Sequence, residues 1–376
     1  MFDTVNLEAR EHLLRIQASL AADAVLQQRA LTEKLANTSL SDLGQRALDA
    51  TVASQGAQYP DCQAVLECIA RGVDAACRAL GLDIQQGIVR GVMPIRGLGA
   101  RSSDFFGTGI AIVGIDASVL PFTGMLTDLL AESFEYRATA EGAAIVMDEA
   151  SCLERITGGK TLLESSEDSG EGRETLVHHW ERFFLHFAGF SMAWSMSKLT
   201  EAQEAIKFQL TSAMEVFIVG HEYGHHINQH NTGASAASSV PTEEAHKHEF
   251  EADRTAWVIA KFLGATGFAG KPTQVRNTWM ESSAGAVAYL VSAEIVRRVK
   301  ETLETGTAKD QCSPSHPSIN DRLWALERWD GFENEPLQAE FRVQRRFIAR
   351  LILSIYNYLY PKFVAAHEAG FRPTHL

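Results

Sequence analysis

Two histidines and a glutamate in the sequence HEYGHH have types and spacing suited to metal chemistry. His221 and His225 are four residues apart, so on an α-helix both imidazoles lie on one face and can bind the same ion. Glu222 lies between them and can act on a water bound to that ion. His226 and His230 repeat the four-residue spacing, but no acid follows His226, so we assign no metal to that pair.

A third ligand is needed, because a catalytic zinc ion keeps three protein ligands and one open position for water. The next predicted helix, 244–264, offers Glu249 and Asp253, which are four residues apart and share a face. Glu249 can complete a site of two histidines and one glutamate. Asp253 is then placed to accept the outer N–H of a ligating histidine and to fix its tautomer.

Spacing alone leaves this ligand assignment open. Glu249 and Glu251 also fit the pattern of ordinary surface acids that pair with neighbouring basic residues. His246 and His248 compete as ligands, but they lie at the predicted junction between the loop and the helix. We therefore rank them below Glu249.

The order of three motifs resembles the gluzincin metallopeptidases. HEYGH is followed by EFEADR at 249–254 and by SHPSINDR at 315–322. The group containing HtpX and the CAAX prenyl proteases, which also has soluble members, is the most similar type. The resemblance covers roughly 200–325 and implies one zinc ion per chain. It implies these roles: zinc ligands His221, His225 and Glu249, general base Glu222, second-shell acid Asp253, and His316 on a loop that reaches toward the active site.

The resemblance also implies a reaction. Glu222 would take a proton from the zinc-bound water and deliver it to the leaving amine. The developing oxyanion needs a donor besides the metal, for which His316 is the candidate and Arg322 a supporting charge. The motif is also similar, more distantly, to the phage-exclusion peptidases of the Lit type, which cleave an intracellular translation factor.

The predicted fold is α+β and predominantly α, a zincin-like metallopeptidase with a small sheet before the active-site helix. Residues 1–83 read as an N-terminal helical region. Residues 84–376 read as the metallopeptidase domain, with a sheet-containing part at 84–170 and a helical catalytic part at 171–376. A chain of 376 residues with 45% hydrophobic content is long enough for a large core.

Composition excludes several classes of partner. The chain has 34 Lys and Arg against 47 Asp and Glu, for a net charge of −13, which argues against nucleic acid. No stretch of 18 apolar residues predicts a membrane span, and the N-terminus does not resemble a secretory signal. Five cysteines without a C-x-x-C motif suit reduced thiols in a cytoplasm.

The sequence therefore predicts a cytoplasmic zinc endopeptidase that acts on a protein or peptide substrate. Three alternatives stay open. The first is a Lit-like defence or toxin protease with one intracellular target. The second is a zinc-binding regulatory or scaffold protein that does not turn over a substrate. The third is a helical interaction protein in which the H-E-x-x-H motif is coincidental. A homo-oligomer is a further possibility, with the C-terminal helix as a contact.

Overall fold

The computed structural model describes residues 6–20, 59–84, 87–95, 97–105, 108–139, 142–158, 175–190, 198–230, 242–267, 276–308, 316–330 and 336–373. These residues are mostly helical, with a small amount of sheet, as predicted. The helices are α1 (6–20), α2 (Tyr59–Leu80), α3 (Val119–Ser133), α4 (Glu149–Thr157), α5 (Leu176–Phe187), α6 (Glu201–Ile227), α7 (Thr242–Thr266), α8 (Thr278–Glu281), α9 (Ala284–Thr305), α10 (Ile319–Trp329) and α11 (Pro336–Glu368).

In the part of the chain that the structure describes, five strands form two small sheets. They are β1 (Ile88–Met93), β2 (Ala100–Asp104), β3 (Ala111–Asp116), β4 (Glu135–Thr139) and β5 (Gly142–Val146). The first sheet has the order β1-β3-β2, with β1 parallel and β2 antiparallel to β3, and the second is the β4-β5 hairpin. β2 is an edge strand, and it packs against α6. The small sheet thus lies beside the helix that carries the H-E-x-x-H motif.

Helices α6 and α7 pack against each other along a seam of small residues. A Cβ atom at Gly224 would lie 2.7 Å from the Cα of Ala252, and one at Gly220 would lie 3.2 Å from the Cα of Ala256. The backbones of the two helices therefore approach more closely at Gly224 than any side chain there would allow. Since His221 and His225 flank this seam, it determines how far they lie from α7.

The two ends of α6 are specified by hydrogen bonds. At the start, Thr200 and Gln203 form a capping box. At the end, the N–H of Gln229 bonds to the carbonyl of His226 and the N–H of His230 to that of His225, which is a Schellman motif. Gln229 has φ 59°, in the left-handed region, where a helix stop usually has glycine. This turn brings His230 back toward the helix.

One large hydrophobic core joins most of the helices. It includes residues of α2, α3, α5, α6, α7, α9 and α11, so α2 shares its core with the elements after residue 84. Within the described ranges, no helix is both long and apolar enough to cross a membrane.

The region 84–150 differs from its predicted content of strands and loops. The apolar run that begins at Val119 is α3, a helix, and not the continuation of a strand. Because α3 is buried on nearly all sides, it lacks the apolar stripe that identifies a helix in sequence. Pro121 lies in its first turn, where proline is tolerated. The polar segment at 165–174 and Cys312 lie outside the described residues. The segment 231–244 is predicted to be a loop that crosses between the two helices. Its residues 231–241 also lie outside the described ranges, and 242–244 are already part of α7.

Candidate metal centre

Three side chains from α6 and α7 converge on one point. His221 Nε2 lies 3.1 Å from His225 Nε2. Glu249 faces both rings, with Oε2 3.4 Å from His221 Nε2 and Oε1 3.5 Å from His225 Nε2. One donor atom from each of the three residues can be chosen so that all lie within 4.8 Å of one another. Among the described residues, this is the group of His, Cys, Asp and Glu side chains that has metal-binding geometry.

These distances match the requirements of a tetrahedral zinc ion. Two atoms that each lie about 2.0–2.1 Å from a tetrahedral centre are separated by about 3.3 Å. The two imidazole nitrogens are 3.1 Å apart, and each lies 3.4 or 3.5 Å from a different oxygen of Glu249, so each of these separations is close to that value. Imidazole nitrogen and carboxylate oxygen are ligands that zinc accepts. Among the residues that the structure describes, Glu249 Oε2 is buried and has no hydrogen-bond partner, as expected of an oxygen that binds an ion.

The Nδ1 atom of His221, which faces away from Glu249, contacts an ion pair. His221 Nδ1 lies 2.9 Å from Asp253 Oδ1, and Arg322 Nε donates to Asp253 Oδ2 at 2.7 Å. Asp253 is fully buried. Burial would raise the pKa of Asp253, but the Arg322 guanidinium and His221 outweigh it and lower that pKa. We call His221, Asp253 and Arg322 the Asp253 arm.

The Nδ1 atom of His225 contacts a second imidazole. His225 Nδ1 lies 3.0 Å from His230 Nδ1, and His230 Nε2 lies 2.9 Å from Glu251 Oε2. The ring of His248 stacks on that of His230 at a centroid distance of 4.2 Å and an interplanar angle of 14°. Burial lowers the pKa of His230 to about 4. We call His225, His230 and Glu251 the His230 arm.

Charge at the centre favours a bound cation. Burial disfavours a charged His221, but Asp253 and Glu249 outweigh it and raise the pKa of His221 to about 10. Burial would raise the pKa of Glu249, yet the facing imidazoles of His221 and His225 lower it well below its usual value. For His225, burial dominates and lowers the pKa. Two carboxylates that stay ionised therefore face the two imidazoles.

Glu222 is a buried acid beside these ligands. Its side chain is 4% exposed, and within the described ranges its Oε2 has no hydrogen-bond partner. Burial raises its pKa to about 7, and the charge of Glu249 adds to the rise, while His221 and Arg101 act against it. Arg101 belongs to the edge strand β2, so that strand lies near Glu222. A carboxyl with a pKa near neutrality is suited to accept and return a proton.

His316 and Arg322 reach the centre from the His-Pro loop and α10. His316 Nε2 lies 3.8 Å from Glu249 Oε1, and its side chain is 56% exposed. The Ser318 hydroxyl accepts a hydrogen bond from the N–H of Asp321 and begins α10. Arg322 lies in the first turn of that helix and donates a hydrogen bond to Asp253. It therefore contacts the acid that binds His221.

The competing assignments take other positions. Tyr223 is fully buried, and its hydroxyl is bound to Asp74 of α2 at 2.7 Å and to Arg90 of β1. Its hydroxyl therefore connects α6 to α2 and β1. His226 Nε2 is bound to the carbonyl of Ile84 at 3.0 Å. His248 lies near Glu244, with Nε2 3.6 Å from Oε1.

Sequence reasoning missed His230 and Glu251 as neighbours of the centre. We dismissed His230 because it has no acid at metal-ligand spacing, and Glu251 because it fits a surface acid. Glu251 does lie 3.8 Å from the surface residue Lys247, but it also binds His230. The contact from His225 to His230 spans five residues and exists only because α6 ends between them. A glycine at position 229 would have signalled that end, and the chain has glutamine there.

Comparison with protein families, with curated proteins and with solved structures finds no match to this chain. The geometry of the centre is therefore the basis on which a function is assigned.

Proposed function

We propose that this protein is a zinc-dependent endopeptidase of the gluzincin type, with a zincin-like catalytic region, which hydrolyses peptide bonds of protein substrates. One observation carries the proposal. Two imidazole nitrogens and a carboxylate from α6 and α7 meet at separations that suit zinc. The carboxyl of Glu222, the residue after His221, is buried and interacts electrostatically with His221 and Glu249. A coincidental H-E-x-x-H motif does not require a glutamate from another helix at this point.

The roles of the residues follow from their positions. His221, His225 and Glu249 would hold the ion, which when bound lowers the pKa of a coordinated water and polarises the scissile carbonyl. Glu222 accepts a proton from the attacking water and returns it to the leaving nitrogen. With the ion bound, the carboxyl of Glu222 would have a lower pKa and would be ionised at neutral pH, as a general base must be.

Two further elements complete the site. His316 is the candidate donor to the developing oxyanion, because its ring lies next to Glu249 and is exposed enough to meet a substrate. The edge strand β2 packs against α6, and an extended peptide can add to a sheet edge through its main chain. This arrangement favours an unfolded or looped segment of a protein as the substrate.

The first experiment measures metal content and turnover in matched variants. Purified wild type should contain one zinc ion per chain, and His221→Ala and Glu249→Ala should lose it. Glu243→Ala, an exposed acid on the same helix as Glu249, should keep it. Glu222→Gln should keep zinc but cleave fluorescently labelled casein at least about 100-fold more slowly, since it loses the general base.

Glu215→Gln is the control for Glu222→Gln. Glu215 lies on the same helix and is buried, and its pKa is also raised to about 7, but its partner is Thr123 and not one of the three proposed ligands.

The outcomes distinguish the alternatives. Wild-type turnover in Glu222→Gln would exclude Glu222 as the general base. Zinc bound without turnover in the wild type would favour the regulatory or scaffold alternative. No zinc after addition of the metal would leave the helical interaction protein. Cleavage of one cellular protein only would favour the Lit-like alternative.

A further inference from the structure

We infer that His230 is a positioning residue for the zinc ligand His225, and that Glu251 holds His230 in the orientation this requires. The inference rests on the proposed function, since it concerns how the chain prepares the ligand for the ion. It gives a role to a histidine whose spacing in sequence does not suggest one.

The geometry shows why the contact matters for the ligand. His225 turns Nε2 toward His221 and Glu249, and turns Nδ1 toward His230 at 3.0 Å. An imidazole that binds a metal through Nε2 must carry its proton on Nδ1. That N–H needs an acceptor, and the Nδ1 of His230 is the atom that lies there.

This requirement fixes the proton positions along the whole arm. His230 accepts at Nδ1 only if its own proton is on Nε2. Its Nε2–H then needs an acceptor, and Glu251 Oε2 lies 2.9 Å away. Both hydrogen bonds therefore point from the metal ligand toward Glu251. A carboxylate at the far end favours this tautomer over the opposite one, so Glu251 selects the state of His230 that leaves His225 able to bind.

The backbone and a second ring hold His230 in place. The Schellman motif at the end of α6 ties the N–H of His230 to the carbonyl of His225 at 2.9 Å, so the ring starts from a defined point beside its partner. His248 stacks on one face of the ring. The His230 side chain is 4% exposed. A residue placed by main-chain bonds, stacking and burial together can orient a ligand at little entropic cost.

The test measures zinc affinity directly, by competition with a chromophoric chelator. Loss of a second-sphere partner of a ligand typically weakens metal binding about 10–100-fold. His230→Ala should show a loss in this range. His230→Asn should recover most of it, because the amide oxygen can occupy the position of Nδ1. Glu251→Gln, a change on a 41% exposed side chain, should weaken binding about 3–10-fold without affecting folding.

Two further measurements separate positioning from a general loss of structure. The visible spectrum of the cobalt-substituted protein should change in His230→Ala and return toward wild type in His230→Asn. The thermal midpoint of the chelated protein should be similar in wild type and Glu251→Gln, while the increase produced by zinc should be smaller in the variant. His178→Ala, an exposed histidine on α5, is the control and should behave as wild type.

The outcomes are distinct. If wild type binds zinc and both His230→Ala and Glu251→Gln bind it equally well, the inference is wrong and the proposed function stands. If His230→Asn is as weak as His230→Ala, the ring acts by packing and not by its hydrogen bond, which also overturns the inference. If wild type binds no zinc, the proposed function itself fails.

Discussion

The two histidines of the proposed zinc site have different hydrogen-bond partners. The Asp253 arm is ionic, since a fully buried carboxylate lies between His221 and the guanidinium of Arg322. The His230 arm passes through a second imidazole and ends at Glu251, whose side chain is 41% exposed. One arm ends in the interior at α10, and the other ends at the surface of α7.

We expect the Asp253 arm to affect the stability of the fold and the His230 arm to affect mainly zinc affinity. A buried ion pair is costly to disturb, because removal of one partner leaves the other charged and unsolvated. The Asp253 arm therefore ties the metal ligand to the fold. The His230 arm ends in water, so its outer member contributes little to folding but can still affect the ligand through a hydrogen bond. The following predictions test this division, from the largest expected effect to the smallest.

Asp253→Ala should destabilise the metal-free protein by about 3–5 kcal/mol, because it leaves the guanidinium of Arg322 buried without its acid. Urea unfolding in the presence of a chelator measures this loss. The double variant Asp253→Ala/Arg322→Met should regain much of the stability, yet it should still bind zinc weakly, since His221 has lost its acceptor. Full recovery of zinc affinity in the double variant would contradict the role of Asp253 in orienting His221.

Glu215, a buried acid that belongs to neither arm, should make the free energy of unfolding depend on pH. Burial raises the pKa of Glu215 to about 7 in the folded protein, against an ordinary value of 4.5. Since the folded state holds this proton more tightly, the contribution of Glu215 to stability is most favourable below pH 4.5 and declines as the pH rises to 7. Glu215→Gln should therefore equal wild type at pH 4.5 and exceed it by about 3 kcal/mol at pH 8. Urea unfolding at both pH values measures the difference, and a constant difference would show that Glu215 is not protonated.

His316→Ala should keep zinc, because His316 touches the ligand Glu249 and is not one of the three converging ligands. Turnover of labelled casein should fall about 100-fold, the effect of removing one donor to an oxyanion. Increased turnover would show instead that the exposed loop obstructs the site. Loss of zinc would show that His316 is itself a ligand, and the description of the site as two supported histidines and Glu249 would then be incomplete.

Gln229→Gly should stabilise the protein by about 0.5–1 kcal/mol, because glycine adopts the left-handed conformation at the end of α6 without strain. Zinc affinity should stay within about twofold of wild type, since the main-chain bonds that place His230 remain. Thermal unfolding and the chelator competition measure the two quantities. Weaker zinc binding would mean that the glutamine side chain takes part in the His230 arm.

The sequence predicted the helices of the centre well and the sheet less well. The four-residue spacing of His221 and His225 and of Glu249 and Asp253 is a helical signal, and α6 and α7 form where that spacing predicts them. The edge strand β2 reads ARSSD, which is too polar to identify as a strand, and two of its five residues, Arg101 and Ser103, are exposed. Residues 119–122 were assigned to a region of strands and loops but form the first turn of α3, because a helix buried on nearly all sides lacks an apolar stripe.

The roles of neighbouring residues depended on backbone geometry that spacing does not encode. The sequence predicted Asp253 as a partner of a ligating histidine because the two helices had to meet there. The partner of His225 could not be predicted, because the fifth residue along a helix normally points away from the first. Only the turn at Gln229, which has no glycine to mark it, brings His230 beside His225.

The seam at Gly224 has a consequence for how the metal can be exchanged. Because Ala252 lies against Gly224, the distance between the two ligand-bearing helices is set by backbone contact, whether or not an ion is present. In a zinc finger the ion creates the fold, and a chelator unfolds the domain. Here we expect a chelator to leave a folded protein that reloads with zinc or cobalt without refolding. Circular dichroism should then be the same before removal, after removal and after reloading.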